Sequence, residues 1–245
     1  MDAHYIAPPH SYARPMWRGL RRIGIKPITM PPPLAAREIQ ARPGTPGLAP
    51  IALAGEARIC PGPMVYTRGE AMSVIIASKT IGSLEDCGII AVSGESRTSI
   101  LYLKLILDRI GAKQRVEHTP HTSARELLAR APCALLLGDE ALKARVVYKV
   151  VEDLGLLAKK VLGVNPVFAA TMVHPGARCP GRLGKYKPQP SPLDPAKTSA
   201  RTGIPLHEAE RYHKTIRLDY NPAELAKALH VLGIKPATRP GGAPG

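Results

Sequence analysis

The feature that most constrains the fold is an alternation of short apolar runs with amphipathic runs, which begins near residue 71. The apolar runs have the length and composition of buried strands and comprise residues 72–79, 88–93, 133–138 and 165–173. The amphipathic runs predict helices and comprise residues 98–111, 124–131 and 139–155, with Gly111 and Gly155 at their ends. Strands that alternate with helices in this way predict an α/β protein built on parallel sheets.

The rest of the chain is richer in proline and less periodic. Pro31, Pro32 and Pro33 predict the end of a strand and a helix beginning near Leu34, and residues 45–53 predict a turn followed by a short strand. Residues 174–197 form a Pro/Gly/Lys segment that is too long for an ordinary connection, so we expect it on the surface. Two further helices are predicted at 205–215 and 221–234.

The charge of the chain indicates an acidic partner. Its 245 residues include 34 Lys and Arg against 19 Asp and Glu, a formal net charge of +15. Nucleic acid, an anionic surface or a polyanionic small molecule would all suit this charge. The basic residues are spread along the chain and do not alternate with aromatic ones, so nucleic acid is the less favoured partner. A nucleic-acid binder would lose affinity steeply as salt is added.

The cysteines and the N-terminus bear on the compartment. Cys60, Cys87, Cys133 and Cys179 are widely separated and form no C-x-x-C pair, so neither a zinc site nor a disulfide scaffold is predicted. No secretion signal and no apolar run of about 20 residues is present. We therefore expect a soluble cytoplasmic protein with mostly reduced thiols, no metal and no membrane association.

Polar side chains cluster where one strand passes into a helix, at Ser93–Ser99. A helix N-terminus at the carboxyl end of a strand binds anions well, and the hydroxyls of Thr98 and Ser99 would add donors beside Arg97. The alternative is capping, for which one hydroxyl, of Ser96 or Thr98, is enough.

Two more polar residues raise the same choice at other strand ends. Asp139 follows the run 133–138 and is most simply an N-cap, although it could also line a cleft. Ser73, at a strand start, could present a hydroxyl to the same cleft.

Six segments in order resemble the chorismate dehydratase family of the futalosine route to menaquinone. They are GEAMSVIIASK, SGESRTSILYLKLIL, ALLLGDEAL, EDLG, NPVFAATMV and ARTGIPLHEAERYHKTIRLDY. The resemblance runs from about Ile59 to Gly233 and is interrupted by the divergent loop 176–197. The pair SRTS and GDEAL at this separation distinguishes the dehydratase from the later enzyme of the route, dihydroxynaphthoate synthase.

The resemblance implies a two-lobed fold like that of type II periplasmic binding proteins, with the ligand in the cleft between the lobes. Residues 1–79 and 171–245 would form one lobe and residues 80–170 an inserted second lobe. The chain would cross between them near residues 77–82 and 168–172.

The resemblance also implies an activity and a set of ligand contacts. The protein would be a hydro-lyase that converts chorismate to 3-[(1-carboxyvinyl)oxy]benzoate without a metal or organic cofactor. Thr98 and Ser99 would hold a substrate carboxylate, Ser73 would face them from the other lobe, and Arg97 and Asp139 would also contact the substrate.

The N-terminal segment departs from the family pattern Ser-Tyr-Leu-Asn-x-x-Pro-Leu. An ungapped alignment places Tyr12 at the family's Asn and His10 at its Tyr, whereas an alignment on Ser11 and Tyr12 removes the Asn. Tyr12 and His10 are therefore the candidates for proton transfer, and the enolpyruvyl carboxylate of the substrate is an alternative base. The competing function is that of an intracellular, non-catalytic binder of a small carboxylic acid.

Overall fold

A computed structural model describes residues 3–94 and 97–237, and these contain two separate β-sheets. The first sheet has the strand order β11-β4-β10-β3-β1-β2. Its strands are β1 (Ala3–Ala7), β2 (Ile25–Thr29), β3 (Gly47–Pro50), β4 (Arg58–Thr67), β10 (Val167–Val173) and β11 (Ile216–Arg217). The second sheet, in the order β7-β6-β8-β5-β9, contains β5 (Val74–Ser78), β6 (Ile89–Ser93), β7 (Arg115–Thr119), β8 (Cys133–Leu137) and β9 (Lys149–Asp153).

Helices cover both sheets. Those of the first sheet are α1 (Arg14–Arg22), α2 (Pro32–Ala41), α7 (Leu193–Thr202), α8 (Leu206–Thr215) and α9 (Pro222–Val231). Those of the second sheet are α3 (Arg97–Arg109), α4 (Ala124–Arg130), α5 (Gly138–Val147) and α6 (Leu154–Leu162). We call each sheet with its helices a lobe, and each lobe has its own apolar cores. The predicted two-lobed α/β fold is therefore confirmed.

The alternation of strands and helices suggested parallel sheets, but some of the strands are antiparallel. Strand β5 runs antiparallel to both β8 and β9, and β10 runs antiparallel to β3 and β4. All five residues of β5 are buried, because the strand lies between β8 and β9 and helices cover the sheet. Strand β2 is at the edge of the first sheet, where Pro27 costs no ladder hydrogen bond.

The chain crosses between the lobes earlier than expected. Strand β5, which includes Ala77, belongs to the second sheet, so the first crossing is at residues 68–73. Strand β10, which includes Phe168, belongs to the first sheet, so the return is at residues 163–166. The apolar composition identified both strands but does not show which sheet each one joins.

The single helix predicted over residues 139–155 is wrong. Helix α5 ends at Val147, and β9 follows from Lys149 to Asp153. The β-branched residues Val150 and Val151 favour an extended strand there, and β9 pairs with β5. Gly155 consequently lies in the first turn of α6 instead of ending a helix, whereas α3 does end just before Gly111 as predicted.

Helix α5 belongs to the second lobe but is also attached to the first. Leu142, at its middle, is fully buried among residues of the first lobe's core. Near its end, Arg145 Nη2 is 3.4 Å from Glu70 Oε1 and 3.9 Å from Glu208 Oε2. Asp139, at its start, adds a third attachment that is described below.

The cysteines pair, which contradicts the expectation of reduced thiols. Cys60 is bonded to Cys179, and Cys87 is bonded to Cys133, at sequence separations of 119 and 46 residues. These separations hide the pairing from any local motif, because only the tertiary fold brings the thiols together. The argument for a reducing compartment is therefore lost. Among the described residues, no helix has the length and apolar character needed to cross a membrane.

The proline-rich segment after β10 is anchored to α1. Gln189 N donates to Pro15 O at 2.9 Å, and Arg18 Nε donates to Gln189 O at 2.8 Å. Leu183 and Tyr186 of the segment are buried in the core beside α1. The segment thus fixes the helix that follows His10 and Tyr12, and its last residues begin α7.

Candidate functional site

A cavity of about 110 Å³ lies between the lobes, several times the space that one water molecule needs. Its walls are mostly apolar, and its polar groups are few. The lining residues are Pro8, His10, Tyr12, Met30, Ala35, Leu48, Pro50, Val65, Thr67, Ser73, Val74, Thr98, Ser99, Leu137, Gly138, Phe168, Ala169 and Ile216. Of the seven candidates from the sequence, the cavity brings together His10, Tyr12, Ser73, Thr98 and Ser99.

Thr98 and Ser99 reach the cavity from the first turn of α3. Both are buried, and α3 begins at Arg97, so Thr98 is inside the helix and is not its N-cap. Thr98 Oγ1 accepts a hydrogen bond from Ala52 N, 3.2 Å away in the first lobe. Its own hydroxyl hydrogen is still able to donate to a ligand beside the N–H groups of the first turn.

Two other residues of this turn were candidates, Arg97 as a ligand contact and Ser96 as the helix cap. Arg97 is exposed at the start of α3 and is not among the residues that line the cavity. Ser96, the alternative cap, lies outside the described residues.

Ser73 is held in a strained turn at the first crossing. Ser73 N donates to Ala71 O at 2.6 Å, which closes a γ-turn around Met72, and Met72 has a φ of +58°. Ser73 O accepts from Gly138 N at 2.7 Å. A non-glycine residue in this conformation is costly and is found where the surrounding structure enforces it, commonly at functional sites.

Asp153 enforces that turn. Its carboxylate is buried and accepts from four backbone N–H groups: Ala71 at 2.8 Å, Met72 at 2.7 Å, Gly155 at 2.9 Å and Leu156 at 3.1 Å. Asp153 thus caps α6 and fixes the crossing segment at the same time. The sequence interpretation missed it because the EDLG motif was assigned to the end of a helix, whereas it begins one.

Asp139 joins the lobes and does not cap α5. It accepts from Ser11 N at 3.0 Å and from Ser11 Oγ at 3.1 Å, and its Oδ2 is 2.7 Å from Arg201 Nε of α7. The N-cap position of α5 belongs to Leu137 and has no side-chain bond. Asp139 is therefore next to the cavity but already bonded to three groups of the first lobe, a partnership that no local sequence pattern shows.

Gly138 makes room for His10. Its φ is +59°, and a Cβ built there would lie 2.8 Å from Nδ1 of the His10 ring. The rings of His10 and Tyr12 have centroids 5.5 Å apart and both face the cavity. Only glycine allows the imidazole to lie against the start of α5.

Substituting Gly138→Ala should therefore destabilise the protein more than Gly163→Ala does. Gly163 has a similar φ of +70° but nothing within 4 Å of an added Cβ. A left-handed alanine costs about 1–2 kcal/mol at either position, and crowding at His10 adds at least about 1 kcal/mol. Urea denaturation of both variants measures the difference, and equal losses would show that the His10 ring moves aside freely.

Burial governs the ionisable groups of the site. It lowers the pKa of His10 below 6.5, against the opposing charge of Asp139 and together with that of Arg201. It also raises the pKa of Tyr12 well above 10, with Asp139 adding to the rise. Near neutral pH, His10 is accordingly an uncharged base and Tyr12 a protonated phenol.

The lowered pKa of His10 predicts a loss of stability in acid. The unfolded chain takes up this proton near pH 6.5 and the folded protein does not, so the free energy of unfolding falls as the pH drops below about 6.5. Denaturation of the wild type and His10→Gln at about pH 7.5 and about pH 5.5 should show a smaller acid loss in the variant. His118→Gln, on the exposed part of β7, should behave as the wild type. An unchanged acid loss in His10→Gln would contradict the assignment.

No pattern in the sequence predicted the apolar wall of the cavity. Met30, Leu48, Val65 and Phe168 come from four separate elements or connections, and each looks like an ordinary core residue in the sequence. Their convergence depends on the sheet order of the first lobe. They make the cavity suited to a ligand with an apolar ring and a small number of polar ends.

Comparison with known proteins identifies the family. A family model described as menaquinone biosynthesis matches residues 49–179, which is more than half of the chain. The chain belongs to the menaquinone-biosynthesis family. The match confirms the resemblance and includes Ser73, Thr98, Ser99 and Asp139.

Three residues of the site lie outside the range that the menaquinone-biosynthesis model matches. His10 and Tyr12 precede it and Arg201 follows it. No curated protein sequence matches the chain.

Solved structures support the fold of this family member. Protein AF1704 from Archaeoglobus fulgidus is 15% identical with a TM-score of 0.67, over 94% of each chain. The periplasmic aliphatic sulphonate binding protein SsuA from Escherichia coli is 11% identical with a TM-score of 0.62, over 94% of this chain and 85% of that one. The Candida albicans CA3427 product, described as having the generic periplasmic binding protein fold, is 7% identical with a TM-score of 0.55, over 95% of this chain and 89% of that one. At these identities the likeness shows the fold alone.

Proposed function

We propose that this member of the menaquinone-biosynthesis family is a chorismate dehydratase that forms 3-[(1-carboxyvinyl)oxy]benzoate. The observation that carries the proposal is the convergence of three buried hydroxyls, of Ser73, Thr98 and Ser99, with His10 and Tyr12 on one inter-lobe cavity. The family supports the pathway, and the resemblance of the SRTS and GDEAL segments supports this reaction within it.

The cavity suits a cyclic dicarboxylate such as chorismate. The first turn of α3 offers backbone N–H groups and two hydroxyls to one carboxylate. Met30, Leu48, Val65 and Phe168 offer an apolar surface to the ring. The net charge of +15 favours the approach of a dianion.

The reaction removes a proton from one ring carbon and hydroxide from its neighbour, and the new double bond makes the ring aromatic. His10 is the proposed proton acceptor, because its uncharged imidazole lines the cavity. Tyr12 is the proposed donor to the departing hydroxyl, which leaves as water. The enolpyruvyl carboxylate of the substrate is the alternative acceptor.

Incubation with chorismate tests this proposal. The wild type should remove the diene absorbance of chorismate and form a product of the mass expected after loss of water. His10→Gln should bind chorismate but turn it over slowly if His10 is the base, and at the wild-type rate if the substrate carboxylate is the base.

The second candidate is a non-catalytic binder of a small carboxylic acid. It is favoured by the absence of an asparagine at the N-terminal motif and by the few polar groups of the cavity. Binding of chorismate without any change in absorbance would establish this alternative. Neither binding nor turnover would overturn both functions.

A further inference from the structure

A second cavity lies between the lobes and adjoins the first one at His10 and Leu137, which line both. Its volume is about 280 Å³, and the mechanism proposed above does not use it. We call it the polar cavity, because its walls carry many more charged and hydroxyl-bearing side chains than those of the first. They include Thr122, Ser123, Asp139, Glu140 and Lys143 of the second lobe and Arg201 of the first.

The polar cavity lies where an α/β sheet commonly binds ligands. Strands β6 and β8 are parallel neighbours, and their last residues, Ser93 and Leu137, both line it. Helix α3, which follows β6, packs on one face of the sheet, and α5, which follows β8, packs on the other. The chain therefore leaves two adjacent strands in opposite directions, which opens a crevice at their carboxyl ends. This position favours a ligand site independently of the side chains around it.

One cation from each lobe lines the polar cavity. Arg201 Nε is 2.7 Å from Asp139 Oδ2, and Lys143 Nζ is 3.8 Å from Glu140 Oε2. Both acids are also held by backbone N–H groups. A guanidinium carries five N–H donors and an ammonium three. Neither cation has a second acidic partner among the residues that the structure describes, and their side chains are 45% and 53% exposed, so both keep donors for a ligand.

We propose that Arg201 and Lys143 bind the second carboxylate of the ligand in the polar cavity, while the first turn of α3 binds the ring carboxylate in the first cavity. The ring then lies beside His10, which lines both cavities. The inference rests on the proposed function, since it needs a ligand with two acidic groups. Because Arg201 is on α7 and Lys143 on α5, the same carboxylate also joins the two lobes.

The assignment separates the two candidate proton acceptors of the reaction. A carboxylate beside two cations takes up a proton less readily, because the neighbouring positive charges favour its ionised form. The enolpyruvyl carboxylate held in this way is a poor base, which leaves the acceptor role to His10.

Two probes that differ only in the second carboxylate test the proposal by calorimetry. One is 3-[(1-carboxyvinyl)oxy]benzoate, and the other is 3-(prop-1-en-2-yloxy)benzoate, in which a methyl group replaces that carboxylate. The wild type should bind the dicarboxylate more tightly. Arg201→Met should weaken binding of the dicarboxylate roughly tenfold or more, and Lys143→Met roughly threefold to tenfold. Both variants should bind the methyl analogue within about twofold of the wild type, since it offers the cations no charge.

Arg109→Met is the matched control, because Arg109 is exposed at the other end of α3 and its loss changes the net charge equally. It should leave both affinities unchanged. Since Arg201→Met leaves Asp139 without its cation, the double variant Asp139→Asn Arg201→Met removes that charge as well, and it should bind the dicarboxylate as weakly. Urea denaturation shows which variants fold, and the exposed Lys143 keeps the test available if the Arg201 variants do not.

Three results would overturn this inference and leave the proposed function standing. They are equal weakening of both probes by Arg201→Met, recovery of wild-type affinity in the double variant, and equal wild-type affinities for the two probes. The first would mean that Arg201 only holds the lobes together, and the second that it only neutralises Asp139. Failure of the wild type to bind either the dicarboxylate or chorismate would overturn the proposed function and this inference together.

Discussion

Replacing Thr98 and Ser99 together with alanine is expected to weaken dicarboxylate binding by on the order of a hundredfold or more. Each hydrogen bond to a charged group is worth roughly 1.5–3 kcal/mol, and the substitution removes two donors while leaving the backbone N–H groups of α3 in place. Thr98 Oγ1 also accepts a hydrogen bond from Ala52 N, so the substitution removes one contact between the lobes as well.

The measurement needs both affinity and stability. Calorimetry with 3-[(1-carboxyvinyl)oxy]benzoate gives the first, and urea denaturation gives the second. The control is Ser123→Ala, which removes the hydroxyl that caps α4 and accepts from Glu126 N. It should cost about 1 kcal/mol of stability and leave affinity unchanged. If the Thr98 and Ser99 variant behaves in the same way, the two hydroxyls serve only the helix.

Asp153→Ala should destabilise the protein by about 3 kcal/mol or more. The carboxylate is the partner of four buried or half-buried N–H groups, and its removal leaves all of them without an acceptor. Asp153→Asn keeps one acceptor oxygen and should lose less, roughly 1–2 kcal/mol.

Asp108→Ala is the matched control, because Asp108 is exposed on α3 and makes no ion pair with a described residue. Its free energy of unfolding should stay within about 0.5 kcal/mol of the wild type. The Asp153 variants should also bind the dicarboxylate more weakly, since the turn that presents Ser73 loses its anchor. Full stability in Asp153→Ala would mean that the γ-turn at Met72 holds without side-chain support.

The sequence identified the residues whose chemistry is unusual for their position. Three hydroxyl-bearing residues where a strand passes into a helix exceed what capping needs, and two of them, Thr98 and Ser99, line the cavity. Ser73, His10 and Tyr12, which were also candidates, line the same cavity. Thr98 and Ser99 could be placed there because a helix N-terminus at the carboxyl end of a strand is a local geometry, whereas His10 and Tyr12 came from the alignment with the family pattern. The roles of all five residues stay predictions.

What the sequence did not show depends on contacts between distant segments. Asp139 looked like a local cap, yet its partners Ser11 and Arg201 are 128 residues before it and 62 residues after it. The pairing of Cys60 with Cys179 and the boundary of the lobes at residues 68–73 have the same character. Strand β9 was missed for another reason, since its short valine-rich run follows a helix without a glycine or proline between them.

Contacts between the lobes lie on both sides of the cavity. On one side, Asp139 of α5 is paired with Arg201, and on the other, Thr98 Oγ1 accepts from Ala52 N and Tyr102 Oη accepts from Val167 N. Moving the lobes apart would therefore break contacts on both rims, and the Thr98 hydroxyl would lose its protein partner just where the ligand's carboxylate is proposed to bind.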